Sequence, residues 1–162
     1  ATVGSGEFFR SQSAVFCEAD LPHNSNTNAG DTYGSSPRKL KLWNWTDEQS
    51  SVICELNFVS AILAVQINRE RLVVCLGHNL TLFHVPARVC LQTLSTPPNP
   101  TGLFALSREG ASIIAMPSRE KGEVVLYDAI ALRLLSRVHA HKTNVTAMAF
   151  NPASTMIATA SE

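Results

Sequence analysis

The side chains whose types invite chemistry begin with a histidine pair, His139 and His141, in the segment Arg137-Val138-His139-Ala140-His141-Lys142. On an extended segment, residues two apart point to one side, so both imidazoles could meet one ion. A zinc site needs three or four ligands, and the sequence sets no further Cys, His or carboxylate at ligand spacing beside the pair. No metal is expected. Cys17, Cys54, Cys75 and Cys90 are widely separated and form no Cys-x-x-Cys. Three of them sit in apolar runs, which reads as small buried hydrophobes of a reducing compartment. Ser, His and Asp all occur, but no Gly-x-Ser-x-Gly elbow or other catalytic signature does. No glycine-rich loop of the phosphate-cradling kind is present. The chain therefore reads as a binding protein, not an enzyme, with no cofactor.

Charge narrows the partner. Thirteen basic and thirteen acidic residues give a formal net charge of zero over 162 residues. That argues against a whole-molecule field for nucleic acid or membrane, so any anion site must be local. No apolar segment approaches about 18 residues, the length that spans a bilayer, and no charged-then-apolar leader opens the chain; it reads as soluble and cytosolic. Asn44-Trp45-Thr46, Asn79-Leu80-Thr81 and Asn144-Val145-Thr146 match the glycosylation acceptor, a short pattern that is inert in that compartment.

The elements that must position the histidines are strands. After the polar turn His141-Lys142-Thr143-Asn144, residues 145–150 alternate as a half-buried strand does. Asn151-Pro152-Ala153-Ser154 is turn chemistry, and a second strand over Met156–Thr159 leads into Ser161-Glu162, with an unpaired edge expected at 156–159. Upstream, short strands are expected at 39–45, 52–58, 62–67, 71–76, 80–85, 89–94, 102–107, 112–116, 123–128 and 132–138. Two more, Glu7-Phe8-Phe9 and Ala14-Val15-Phe16-Cys17, precede a long polar loop over 21–38. Residues 129–137 compete as a helix because their intrinsic helical propensity is high, although nine residues between strands suit an outer strand.

A repeat emerges when these strands are overlaid. Leu40–Trp45, Leu80–Val85 and Val124–Ala129 share one pattern, and Trp43, Phe83 and Tyr127 fall close to the same place in it. Their starts are 40 and 44 residues apart, which with four short strands per unit is the period of a WD-repeat propeller. A β-sandwich also has evenly spaced strands, but lacks the four-strand period and recurring aromatic. The expected fold is all-β, a WD-repeat-type seven-bladed β-propeller present in part. About three blades plus the first two strands of another are expected: a blade over 4–58 with the 21–38 loop, blades over 59–96 and 101–138, and half a blade over 141–162.

Several motifs in order carry a more specific likeness: SPRKLKLWNW, ICELNF followed by ILAVQINRERLVVCL, NPTGLFALS, and AH…TAMAFN…IATASE. Together they resemble the PROPPINs, seven-bladed propellers that bind phosphoinositides in autophagy, and most of all their WIPI-type branch. The long 21–38 loop is larger than that family's pattern. By this resemblance the sequence begins at the second blade and reaches the middle of the fifth, as a fragment. The family's Arg-Arg-Gly sequence is absent, since these residues contain no Arg-Arg pair.

The resemblance implies recognition of phosphatidylinositol 3-phosphate or the 3,5-bisphosphate by binding, with recruitment from the cytoplasm to autophagic or endosomal membranes. It implies that His141 and Ser161 form one wall of the first headgroup site, with Thr159 and Lys142 as weaker candidates. Against this stands the ordinary WD-repeat role of a blade-opening histidine, which is to tie strands together by hydrogen bonding. An autophagy lipid-transfer protein is the partner implied for the early blades. The alternative is a generic WD-repeat interaction scaffold that binds no lipid.

Overall fold

Thirteen β-strands and no helix make up the described residues of the computed structural model, which are 13–18, 38–45 and 50–162. The expected strand at Glu7-Phe8-Phe9 and almost all of the loop over 21–38 lie outside them. The chain divides into two compact units, Phe9–Ile62 and a larger one that holds Leu63–Glu162.

The smaller unit is an antiparallel sheet of β1 (Ser13–Glu18), β2 (Lys39–Trp45) and β3 (Ser50–Asn57) in that order. The alternation Lys-Leu-Lys-Leu sends Leu40 and Leu42 inward, both buried, while Lys39 turns out to an ion pair with Glu55 at 3.6 Å.

The larger unit stacks three sheets. Four consecutive strands form the first: β4 (Ala64–Ile67), β5 (Arg71–Cys75), β6 (Asn79–His84) and β7 (Val89–Ser95). The second repeats the plan with β8 (Ala105–Leu106), β9 (Ile113–Pro117), β10 (Glu123–Asp128) and β11 (Arg133–His139), and the third is the hairpin β12 (Val145–Phe150) with β13 (Ile157–Ser161). Every pairing is antiparallel between neighbours in sequence, as short polar turns require. Strand β5 is buried along its whole length and β6 from Leu80 to Phe83, with Leu72–Cys75 an uninterrupted apolar run.

Side chains from adjacent sheets make the core. Val73, Cys75, Leu80 and Leu82 of the first sheet meet Phe104, Ile114, Val125 and Tyr127 around the second. On the second sheet's other face, Ala105, Ala115 and Val124 meet Met148, with Val145, Phe150 and Ile157 packed beside it. Burial of a large aliphatic side chain contributes roughly 1.5–3 kcal/mol, so these stacked faces outweigh any turn.

Three details explain the repeat. The register slips between Leu42 and Trp43, between Leu82 and Phe83, and between Leu126 and Tyr127. Each slip falls just before the recurring aromatic, so the sequence repeat marks a repeated β-bulge. The turn after β6 and the turn after β10 also match, with Arg88 and Leu132 in the left-handed region at φ 57° and 52°. His84 Nδ1 accepts the N–H of Ala87 in the first, and Asp128 Oδ1 accepts those of Ile130 and Ala131 in the second. That side-chain cap decides residues 129–137 against a helix: turn first, then the exposed strand β11.

The strand expected over 102–107 shrinks to Ala105–Leu106. Asn99 is buried and caps the preceding loop, with Oδ1 accepting the N–H of Leu103 at 2.8 Å and Nδ2 donating to the Leu103 carbonyl at 2.9 Å. Gly102 supplies φ +66° there, and a Cβ would stand 3.0 Å from the Cβ atoms of Leu63 and Ala64. The cysteines also depart in part from the expected burial. Cys75 is buried, Cys54 half-buried and Cys90 exposed.

Candidate functional site

Strand β11 ends at His139, and the chain must turn at once to start β12. The carbonyl of Gly122, in the turn between β9 and β10, accepts the N–H groups of Ala140 and His141 at 2.9 and 3.1 Å. Gly122 adopts φ +69°, and any Cβ there would fall 1.7 Å from the His141 carbonyl oxygen. Only glycine permits this approach. His141 is thereby seated before the polar turn at 142–144 begins.

The far wall is β13. Its register with β12 sets Met148 opposite Thr159 and Phe150 opposite Ile157, and after a slip sets Val145 opposite Ser161. Ile157, Thr159 and Ser161 therefore share the strand face that turns toward the second sheet, and all three are half-buried. Ala158 and Ala160 lie on the opposite, exposed face. The end of the hairpin is held by Thr143 Oγ1, which donates to the Glu162 carbonyl at 2.7 Å.

His141 Nε2 lies 2.8 Å from Thr159 Oγ1. His141 is thus in direct hydrogen bond with Thr159, one of the two weaker candidates. Ser161 follows on the same face of the same strand, and Lys142 is exposed and adjacent to His141 in sequence. The bond ties the start of one strand to its partner, which is the ordinary WD-repeat service of such a histidine. It also leaves capacity for more, because imidazole has a second ring nitrogen and a hydroxyl has both a donor and acceptor sites. An imidazole, two hydroxyls and an ammonium make a set that can donate to phosphate oxygens.

The electrostatics around this wall are local. Glu123 holds its carboxyl below the usual carboxylate range, first because the Ser118 hydroxyl bonds it and then because Arg137 lies beside it. Arg137 Nη1 is 3.2 Å from Glu123 Oε2 and donates to Ser118 Oγ at 3.3 Å. His139 stands exposed at the end of β11, near enough to Glu123 to add to the same effect. Among the described residues, no three His, Cys, Asp or Glu side chains gather as a metal site. Among the same residues there is no helix long and apolar enough to cross a membrane.

Gly122 is the residue that sequence reasoning missed. Its place in a polar turn was legible, but its contact lies 19 residues away on another element, beyond any local signal.

Comparison with known proteins places the chain. A family model described as PROPPIN matches residues 32–162. Autophagy-related protein 18 of Mycosarcoma maydis is 32% identical over 91% of this chain and 37% of its own length. WD repeat domain phosphoinositide-interacting protein 2 of Mus musculus is 40% identical over 78% of this chain and 29% of its own length. The chain thus spans about a third of these curated relatives. Among solved structures, the complex of KlAtg21 with the coiled coil of AgAtg16 superposes with a TM-score of 0.74 at 24% identity, covering 95% of this chain and 46% of the other. The fold is a partial β-propeller, all-β, with two four-stranded antiparallel sheets among the described residues.

Proposed function

Because the chain belongs to the PROPPIN family, we propose that it is part of a propeller that recognises 3-phosphorylated phosphoinositide headgroups and brings autophagy machinery to membranes. The observation that carries this reading is the His141–Thr159 hydrogen bond of 2.8 Å, with Ser161 on the same face and Lys142 beside it. These side chains form one wall of a headgroup site, donating to phosphate oxygens without any covalent step. The negative surface potential of a cytoplasmic leaflet adds an attraction of about 1 kcal/mol per nearby cation. The opposite wall in the family is an Arg-Arg-Gly sequence, which these 162 residues do not contain. Arginine suits that wall because its planar fork grips phosphate bidentately and keeps its charge. These residues alone are therefore expected to bind headgroups weakly or not at all.

The protein would act from the cytoplasm as a peripheral membrane protein. Its earlier sheets would offer a docking surface to an autophagy partner such as a lipid-transfer protein; the solved neighbour KlAtg21 is itself in complex with a coiled coil of AgAtg16. The test is flotation of the full-length protein with vesicles that contain phosphatidylinositol 3-phosphate, against vesicles of unphosphorylated phosphatidylinositol. Headgroup-dependent flotation that falls at least tenfold in the double variant His141→Ala, Ser161→Ala supports the reading. Equal flotation with both vesicles would leave a generic interaction scaffold as the better account.

A further inference from the structure

The contact between Gly122 and His141 brings two cations together. With the Gly122 carbonyl bonded to two N–H groups of the other segment and no room for a side chain, the backbones touch. Lys121 flanks the contact on one side and Lys142 on the other. Successive Cα atoms are about 3.8 Å apart, so the Cα atoms of these lysines lie no more than about 12 Å from each other. Side chains of that length can converge on one phosphorylated ring. Glu123, the nearest carboxylate along β10, is taken up by Arg137 at 3.2 Å. Glu120 is the other acid of the turn, and its backbone carbonyl accepts the N–H of Glu123. Among the described residues neither Lys121 nor Lys142 joins an ion pair, and both are exposed.

We propose that the turn between β9 and β10 is a further wall of the headgroup site: Lys121 grips a phosphate of the anionic inositol headgroup, and Gly122 is the positioning residue that seats His141 against it. The inference rests on the headgroup reading above and extends it to a neighbouring sheet. Its chemistry is that of a point charge on a flexible stem, which adds affinity and depends on salt.

The test uses the full-length protein with two probes, vesicles containing phosphatidylinositol 3-phosphate and soluble inositol 1,3-bisphosphate. Lys121→Gln is expected to weaken both by about fivefold, the effect of one cation near an anionic lipid, and Lys121→Arg to restore binding to within about twofold of the original. Gly122→Ala is expected to lower headgroup affinity at least as much as His141→Ala; should it fail to fold, the surface substitution decides. Loss confined to vesicles, and restored by added phosphatidylserine, would mean bulk attraction to the bilayer and overturns the proposal. So would a Lys121→Gln protein that binds normally while His141→Ala is impaired, with the headgroup reading left standing. If the unsubstituted protein binds neither probe, both readings fall.

Discussion

Two polar clusters in the larger unit look alike in composition and differ in what surrounds them. Asn68, after β4, is 4% exposed. Its Oδ1 accepts the N–H groups of Glu70 and Arg71, and its Nδ2 donates to the Ser107 carbonyl and Ser112 Oγ. Arg71, also buried, donates from Nε to the Ala129 carbonyl at 2.7 Å. Every bonding site of that Asn is used, and the partners belong to two different sheets. The His141–Thr159 pair shares one bond and sits half-exposed, with donors to spare. A buried polar group that is fully matched by protein cannot recognise anything else; it fixes where sheets meet. A half-exposed pair with unused capacity can exchange water for a ligand. Scaffold and site differ here by burial and leftover valence, not by residue type.

That contrast breaks most readily at Asn68. Asn68→Ala would leave two N–H groups, a carbonyl and a hydroxyl without their partner, at about 1–3 kcal/mol for each group that water cannot reach. A total loss of about 3 kcal/mol in urea denaturation is expected. A loss under about 1 kcal/mol would mean that the cluster is wet and the distinction false. Next comes Tyr127, whose hydroxyl donates to Gln92 Oε1 at 2.7 Å between β10 and β7. It is buried but makes a single bond, so Tyr127→Phe should cost about 1 kcal/mol. Calorimetric unfolding of that variant gives the intermediate point between the two clusters.

How much of this was readable beforehand follows from the range of each interaction. The repeat of Leu40–Trp45, Leu80–Val85 and Val124–Ala129 was legible because alternation and aromatic placement are local, and it pointed to four-stranded units. That the aromatic marks a bulge was not, since a slip of register depends on the partner strand. Residues 129–137 were ambiguous on propensity, and one carboxylate, Asp128, decides them through its cap. The strand over 102–107 was overread because the Asn99 cap that holds the loop acts through a side chain. His141, Thr159 and Ser161 came from motif resemblance, and Gly122 from neither source.

The functional arm of the comparison is smaller in energy and sharper in kind. His141→Ala removes one half-exposed hydrogen bond, which water can replace, so stability should change by less than about 1 kcal/mol. Headgroup binding by the full-length protein should fall by about tenfold or more. Parallel urea melts and vesicle flotation separate the two. A large loss of stability with no loss of binding would move His141 to the scaffold side with Asn68.

The smallest effect concerns Glu123, which steadies the turn that touches His141. Its carboxyl titrates below the usual range, chiefly through the Ser118 hydroxyl and then through Arg137, while partial desolvation opposes them. A carboxyl depressed in the folded state favours folding wherever it is ionised in both states, at pH above its unfolded value of about 4.3. That contribution is lost as pH falls through the lower, folded value. The urea midpoint of the unsubstituted protein should therefore exceed that of Glu123→Gln slightly near neutrality, and the gap should close in acid. If it is constant with pH, the carboxylate charge is not what holds Arg137 against this turn. If it widens toward acid, the folded carboxyl titrates above its unfolded value, and burial rather than Ser118 and Arg137 governs it. The scaffold under Gly122 would then need another account, and the seating of His141 would have to come from the backbone contact alone.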